Sequence, residues 1–157
     1  MILSKTCEYG IRAVVYVALT SKGKFVSIKE ISDNLEISFH FLTKVLQILT
    51  QKNILKSYRG PNGGVTLACS ADKISLLEII YTIDGEKIFK DCILGLPGCG
   101  DLVPCPLHNQ WEIDRELIKN NFAGLTLAQL AKNFLAADLR LSPKGKCSEI
   151  IKLTNNI

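Results

Sequence analysis

The fold is decided by residues 27–68, SIKEISDNLEISFHFLTKVLQILTQKNILKSYRGPNGGVTLA. Ser27 stands three residues before Glu30, which is the spacing of a capping box at the start of a helix. The chain then breaks, and Ser38 can cap a longer amphipathic helix that runs to about residue 52. Two helices joined by a short turn, the second one longer, are typical of a helix-turn-helix unit.

The second of these helices has an apolar side and a polar side. Its predicted buried stripe consists of Phe41, Leu42, Val45, Leu46 and Leu49. The opposite side then presents Ser38, His40, Thr43, Lys44 and Gln47. Hydroxyl, imidazole, ammonium and amide groups near a helix N-terminus suit phosphate oxygens and major-groove base edges, and the helix dipole adds to the attraction for phosphate. The alternative is an ordinary solvated helix face.

Two short runs with strand-like alternation follow, at 54–58 and 65–68, and the residues between them are rich in turn formers. A hairpin placed after a recognition helix forms a wing. An arginine there can lie along a minor groove, whose negative potential attracts it. The wing residues predicted to contact DNA are Arg59, Gly60, Asn62 and Gly63. The alternative is a hairpin that only completes the domain.

The rest of the chain is predicted to be helical around one irregular segment. Apolar residues at helical spacing predict a first helix over 6–20, and a capping box at Thr126 begins a last one. A long helix at 107–122 carries an apolar stripe too large for its neighbours to cover, which is typical of a helix that packs on a copy of itself. We therefore expect a mainly α fold with a small β-hairpin, divided into a winged helix-turn-helix domain at 1–85, a cysteine loop at 86–106, dimerisation helices at 107–137 and a flexible tail at 138–157.

Composition and charge narrow the function. The 157 residues are 47% hydrophobic and 22% charged, an ordinary globular composition of about one domain. The first 70 residues carry nine Lys or Arg against four acids, whereas the remainder carries ten against eleven. The positive excess lies with the helix-turn-helix and favours an anionic partner, double-stranded DNA. No secretory signal, membrane-spanning run or catalytic constellation is visible, so we expect a cytoplasmic protein that is not an enzyme.

The cysteine loop carries a second signal. Cys92, Cys99 and Cys105 lie within fourteen residues, in a stretch rich in Gly and Pro, and His108 follows. Thiolates are soft ligands that select zinc, copper(I) or iron–sulfur clusters, and a flexible loop can donate backbone N–H groups to the sulfurs. The spacing leaves zinc and iron–sulfur open, since Cys₃His is also a structural zinc set. The alternative is that the cysteines are small buried apolar side chains.

Four segments carry a family resemblance: LSKxxEYGIRA at 3–13, ISxxFL at 37–42, SxRGxxGG at 57–64 and the three-cysteine loop. Together, and in this order, they resemble the Rrf2 family of bacterial transcription regulators over about residues 1–135. The resemblance implies a homodimer of winged helices that cross through the long C-terminal helix, with one iron–sulfur cluster held in the loop of each subunit.

The resemblance also implies the ligands. Cys92, Cys99 and Cys105 would hold the cluster. In members similar to cluster-assembly regulators the fourth ligand is a histidine at the place of His108, with a 2Fe–2S cluster. In members similar to nitric-oxide sensors it is an acid of the partner's first helix, at the place of Glu8, with a 4Fe–4S cluster. We favour Glu8 and 4Fe–4S, although an acid in a first helical turn is also favourable without any metal. The first cysteine gap has six residues where five is usual in these sensors.

The sequence thus predicts a homodimeric, sequence-specific DNA-binding regulator whose operator affinity is switched by an iron–sulfur cluster that senses nitric oxide, redox state or iron–sulfur status. One alternative is a winged-helix regulator with a structural zinc or a thiol switch. Another is a small iron–sulfur electron-transfer protein, which explains the cysteines but not the helix-turn-helix, the wing or the charge distribution.

Overall fold

The computed structural model describes residues 2–100, 103–143 and 145. Within this part the chain forms six α-helices, one antiparallel hairpin and two short 3-10 turns, which confirms the mainly α fold with a small hairpin. The elements are α1 Lys5–Thr20, α2 Ile28–Leu35, α3 Phe39–Gln51, β1 Leu55–Tyr58, β2 Gly64–Leu67, α4 Leu76–Asp84, α5 His108–Gly124 and α6 Leu127–Ala136.

The central element is α1. It begins at Ser4, whose side chain accepts a hydrogen bond from the amide of Cys7 at 3.0 Å. It packs against α2, α3, α4, α6 and β2. Its inner residues are therefore fully buried: Cys7, Ala13, Val14, Val15, Tyr16 and Val17. The other helices and the hairpin are arranged around this apolar rod.

The turn between α2 and α3 is fixed by local hydrogen bonding. Glu36 ends α2 in the left-handed conformation, with φ 54°. The buried Ser32 hydroxyl donates to the carbonyl of Ile37 at 2.6 Å, which ties the end of α2 to the turn. The predicted cap at Ser38 is not formed by its side chain, which makes no capping hydrogen bond to α3. The Ser38 hydroxyl is exposed instead.

The predicted capping boxes differ in whether both of their reciprocal hydrogen bonds form. The Ser27 hydroxyl accepts from the amide of Glu30 at 3.1 Å, but the Glu30 carboxylate accepts from the Tyr16 hydroxyl at 3.0 Å. At α6 both hydrogen bonds are present, because the Gln129 side chain accepts from the amide of Thr126 at 2.9 Å. A tertiary contact with α1 therefore replaces the second half of the first box.

The hairpin is joined to the body of the domain by a third stretch of backbone. Leu55 is paired with Leu67 across the two strands. Val65 also exchanges two backbone hydrogen bonds with Val26, at 2.8 and 2.9 Å. A Cβ at Gly64 would lie 2.1 Å from the carbonyl oxygen of Val26, so only glycine fits there. The wing is thus fixed against the segment that leads into α2.

The two C-terminal helices differ in burial. Leu127 of α6 is fully buried, and Phe134 packs against the same core. None of the residues of α5 is fully buried. On one side of α5, Ile118 and Phe122 pack against a second cluster near α4. On another side, Ile113 and Leu117 are 64% and 58% exposed. The described part of the chain therefore covers the predicted apolar stripe only partly.

The first residues of the predicted tail contact the core. Leu141 and Ser142 are buried. The Arg12 guanidinium donates to the carbonyl of Leu141 at 2.7 Å and to the carbonyl of Leu35 at 2.6 Å, so one side chain joins this segment to the end of α2. The rest of the predicted tail, apart from residue 145, lies outside the described residues. Among the described helices, none has the length and apolar character needed to cross a membrane.

Candidate functional site

A groove runs between the start of α2, α3 and the wing. Its volume is about 760 Å³. Side chains from all three elements line it, among them Lys29, Phe39, Thr43, Gln47, Tyr58 and Arg59. We call this the α3–wing groove. It overlaps the DNA interface that the sequence predicts, because Thr43 and Gln47 from the polar side of α3 face the wing across it. The other residues predicted on that side, Ser38, His40 and Lys44, are not among its lining residues.

The residues predicted on the polar side of α3 reach solvent to different degrees. Ser38, His40 and Lys44 are exposed. Thr43 is half-buried, and its hydroxyl donates to the carbonyl of Phe39 at 2.7 Å, so its oxygen is left with acceptor capacity. The start of α3 thus presents a hydroxyl, an imidazole and an ammonium group to solvent.

The wing tip is a tight turn with an arginine at its base. Arg59, Gly60 and Asn62 are exposed, and the amide of Gly63 donates to the carbonyl of Gly60 at 2.9 Å. The small tip leaves the Arg59 guanidinium unobstructed. All four wing residues singled out by the sequence therefore lie at or beside the tip.

Three cations lie in or beside the groove: Lys29 and Arg59 line it, and Lys44 follows the lining residue Thr43 on α3. Lys29, Lys44 and Arg59 are all exposed, and none of them forms an ion pair with any residue in the described part of the chain. Unpaired cations of this kind neutralise phosphates and release counterions. Sequence reasoning missed Lys29. Its place in the first turn of α2 was the available signal, since that helix start faces the wing.

A second site lies in the cysteine loop. The Cys92 and Cys105 sulfurs are 3.5 Å apart, and the Cys99 sulfur is 3.6 Å from Nδ1 of His108. Cys92 is buried, whereas Cys99 and Cys105 are half-buried. The structure therefore brings together the three thiols and the imidazole that the sequence singled out.

The environment distinguishes the two apposed thiols. The backbone amides of Leu94 and Leu96 hydrogen-bond to Cys92 and lower the pKa of its thiol. Burial raises the pKa of the Cys105 thiol, and its hydrogen bond with Cys92 raises it further. Backbone N–H groups that point at a sulfur are the surroundings in which metal-bound thiolates are stabilised. Of the two thiols, Cys92 therefore has the lower pKa.

Glu8 is not part of this arrangement within one chain. Its carboxylate forms an ion pair with Lys5 at 2.8 Å on the surface of α1. The fourth donor beside the thiols is His108, whose side chain is 14% exposed and whose Nε2 lies 4.0 Å from the Glu112 carboxylate. The role of Glu8 as a ligand supplied by a partner subunit stays a prediction.

The donor set suits a soft metal, but the loop is closed. The cavity lined by the three cysteines and His108 has a volume of about 20 Å³, enough for roughly one water molecule. No group of three or more His, Cys, Asp or Glu side chains among the described residues is arranged to hold a metal ion. Three thiols, an imidazole and donated N–H groups fit an iron–sulfur cluster by chemistry. The space between the four side chains is smaller than such a cluster.

Two residues of α5 that the sequence reasoning did not single out hold the start of this loop. The Trp111 indole N–H donates to the carbonyl of Asp91 at 3.0 Å. Arg115 donates to the carbonyl of Lys90 at 3.2 Å and to the Cys99 sulfur at 3.8 Å. The available signal was helical spacing, because both residues follow His108 by three and seven positions and share its face of the helix.

Comparison with known proteins agrees with this architecture. The model of the Rrf2 family, described as an iron-dependent transcriptional regulator, matches residues 3–133. The chain is 33% identical over 132 residues to a protein of Aquifex aeolicus named as an HTH-type transcriptional regulator, a match that covers 83% of this chain and 91% of that one. It is 30% identical over 162 residues to the HTH-type transcriptional regulator IscR of Erwinia tasmaniensis, with 98% of each chain covered.

The fold has a solved counterpart. The structure of CymR, the global cysteine regulator of B. subtilis, superposes with a TM-score of 0.70 at 25% sequence identity. The match covers 83% of this chain and 96% of that one. The family resemblance noted in the sequence is thus confirmed along most of the chain. The protein belongs to the Rrf2 family and is a DNA-binding transcriptional regulator rather than an enzyme.

Proposed function

We propose that the protein is a homodimeric, sequence-specific DNA-binding regulator whose operator affinity is switched by an iron–sulfur cluster. Cys92, Cys99 and Cys105 would hold the cluster, with His108 or the partner's Glu8 as fourth ligand. The observation that carries the proposal is the convergence of the three thiols and His108 at the start of α5. When bound, the cluster supplies an iron site that reacts with nitric oxide or oxidants.

The two sides of the α3–wing groove would contact different grooves of the DNA. The exposed Ser38, His40 and Lys44, with the acceptor oxygen of Thr43, would face the major groove, because they lie on the polar side at the start of α3. The wing, with Arg59, Gly60, Asn62 and Gly63, would follow the adjacent minor groove. The unpaired cations of the groove supply affinity for the phosphates between them.

The exposed side of α5 supports a dimer. Ile113 and Leu117 lie four residues apart and form an apolar surface that the described part of the chain leaves open. A symmetric pairing of two such helices would cover it, and two-fold symmetry matches the palindromic half-sites that helix-turn-helix proteins read. Replacing Leu117 with Glu should shift the protein toward monomer in analytical ultracentrifugation.

The two sites are linked through α5. His108 begins this helix, and Trp111 and Arg115 bind the carbonyls at the start of the cysteine loop. The same helix packs against α4, which contacts α1 and α3. A change in the shape of the loop is therefore transmitted to the helix that carries the proposed dimer surface. If the DNA-binding domains of the two subunits shift relative to each other, the affinity of the dimer for its operator changes.

The test is anaerobic reconstitution with iron and sulfide, followed by selection of bound sequences from a random DNA pool. We expect a brown protein with visible absorption and an affinity for the selected DNA that changes at least fivefold after treatment with a nitric-oxide donor. Glu8→Ala and His108→Ala, compared by absorption and electron paramagnetic resonance, identify the fourth ligand. A colourless protein, or DNA binding indifferent to the cluster, contradicts the proposal.

A thiol switch is the second candidate, and the 3.5 Å contact between Cys92 and Cys105 favours it. With hydrogen peroxide as oxidant, the Cys92 thiolate would be oxidised to a sulfenic acid, and the hydroxide released would take up a proton from solvent to give one water. The Cys105 thiol would then displace a second water to form the disulfide, so that two electrons pass to the peroxide. Mass spectrometry of metal-free protein distinguishes the candidates: a Cys92–Cys105 disulfide that alters DNA binding supports the switch, and Cys105→Ser is its control.

A further inference from the structure

Arg115 contacts the thiol site from α5. Its side chain extends from α5 toward the cysteine loop, where one guanidinium nitrogen donates both to the carbonyl of Lys90 at 3.2 Å and to the Cys99 sulfur at 3.8 Å. Arg115 is half-buried. A permanent positive charge is therefore held next to one of the proposed ligands.

This charge is not balanced by a carboxylate. In the part of the chain that the structure describes, Arg115 takes part in no ion pair, and the neighbouring Glu116 pairs with Lys119 at 3.4 Å. The Nε atom of Arg115 is buried and has no hydrogen-bond partner among the described residues. A sheltered guanidinium without an anion and with a spare donor is unfavourable unless a negative group comes beside it. Among the described residues, the Cys99 thiol, 3.8 Å from the Arg115 guanidinium, is a group in contact with it that can carry negative charge.

We infer that Arg115 is a charge-balancing and positioning residue of the thiol site, whose guanidinium offsets the negative charge of metal-bound thiolates and holds Cys99 against α5. The inference rests on the proposed function, since it takes the three cysteines as metal ligands. The inference adds to the proposed ligands a residue that binds no metal itself. Arg115 would raise the affinity of the site for metal and the midpoint potential of the cluster.

The physical basis is that a metal–thiolate centre carries net negative charge, which grows by one unit when the centre is reduced. A nearby cation stabilises the more negative state more strongly. Hydrogen bonds to ligand sulfurs act in the same direction on the potential. Trp111 already attaches the loop to α5 through the carbonyl of Asp91, so the attachment of the backbone does not depend on Arg115 alone.

Three variants separate charge from packing. Arg115→Met keeps an unbranched apolar stem and removes the charge. Arg115→Lys keeps the charge and loses the planar fork. Lys119→Met, one turn further along the same helix, removes one positive charge that pairs with Glu116 and not with a thiol among the described residues, and it is the matched control. Circular dichroism of each variant checks that the helices are intact.

The first measurement is Co²⁺ binding to the metal-free, reduced protein, followed by the thiolate-to-cobalt charge-transfer absorption. Removing a group that supports metal ligands typically weakens metal binding by about tenfold to a hundredfold. We expect Arg115→Met to raise the Kd for Co²⁺ about tenfold, Arg115→Lys to raise it less than threefold, and Lys119→Met to leave it unchanged.

The second measurement is the midpoint potential of the reconstituted cluster. We expect Arg115→Met to make it more negative, and a tenfold change in the equilibrium corresponds to 59 mV for one electron. Arg115→Lys should restore most of the shift. An Arg115→Met protein with unchanged Co²⁺ affinity and potential overturns the inference and leaves the metal site standing. So does an Arg115→Lys protein as defective as Arg115→Met, because charge is then not the cause.

Failure of the proposed function has a different signature. If the wild-type protein binds Co²⁺ but assembles no cluster, the iron–sulfur part of the proposal fails, and the cobalt comparison still decides the role of Arg115. If the wild-type protein binds neither, the cysteines are not metal ligands and both statements fall together.

Discussion

The wing and the cysteine loop are both rich in turn-forming residues, yet the chain holds them in different ways. The wing is held by backbone: a paired hairpin, and the exchange of two hydrogen bonds between Val65 and Val26. The start of the cysteine loop is held by side chains of α5, with Trp111 and Arg115 on two consecutive carbonyls. Paired backbone hydrogen bonds fix the shape of the wing surface. The cysteine loop is attached through side chains, so its backbone can change conformation when its thiols bind a metal or are oxidised.

The largest effect should come from breaking the backbone attachment of the wing. In Gly64→Val, the added side chain meets the Val26 carbonyl at a distance that no real Cβ adopts. The wing must separate from the segment before α2, so we expect loss of specific DNA binding and a fall of about 3 kcal/mol in the free energy of unfolding. Urea denaturation and fluorescence anisotropy with labelled DNA measure the two effects.

The control for this substitution is Gly124→Ala, at the end of α5, where an added Cβ meets no atom within 4 Å. Its stability should change by less than about 1 kcal/mol. Equal effects of the two substitutions would show that the contact with Val26 does not fix the wing.

The wing and the helix-turn-helix were predictable because their signals are local. Turn formers between alternating runs and helical apolar spacing need no knowledge of the rest of the fold. Contacts between distant parts of the chain were not predictable. The Glu30 carboxylate is taken by Tyr16 from another helix, and the carbonyl of Leu141 is reached by Arg12 across 129 positions. The seven-residue spacing from His108 places Arg115 on the same face of α5, but the contact of Arg115 with Cys99 depends on the path of the cysteine loop.

A second prediction separates ligand chemistry from stability. Cys99 is half-buried in the cysteine loop, outside the apolar core. Cys99→Ser should therefore change the free energy of unfolding of the metal-free protein by less than about 1 kcal/mol. It should nevertheless weaken Co²⁺ binding at least a hundredfold. Cys7→Ser is the opposite case, because Cys7 is fully buried among apolar side chains, beside the Asp84 carboxylate. A hydroxyl placed there should cost about 1–3 kcal/mol and leave metal binding intact. Thermal unfolding and cobalt titration decide, and a stability loss in Cys99→Ser as large as in Cys7→Ser would contradict the separation.

A smaller effect is expected from single cations in and beside the α3–wing groove. Lys44→Ala should weaken binding to all DNA sequences similarly and reduce the slope of log Kd against log salt by about one. Lys52→Ala is the control, because Lys52 lies at the end of α3 and lines a different cavity, against α4. Anisotropy titrations at several salt concentrations measure the slope. An unchanged slope in Lys44→Ala, or an equal change in Lys52→Ala, would place the DNA elsewhere.

The smallest effect concerns the order in which the loop thiols ionise. Backbone amides lower the pKa of Cys92, and burial raises the pKa of Cys105, so as pH rises the Cys92 thiolate should form first. In metal-free protein, the iodoacetamide reaction of Cys92 should therefore reach half its maximal rate at a lower pH than that of Cys105. Cys7 should stay unmodified below pH 9, because burial raises the pKa of its thiol to about 12. Peptide mass spectrometry resolves the three sites. Each rate profile is scaled to its own maximum, so unequal access of the reagent does not shift its midpoint. A reversed order for Cys92 and Cys105 would mean that the amides of Leu94 and Leu96 do not hydrogen-bond to the Cys92 sulfur in solution.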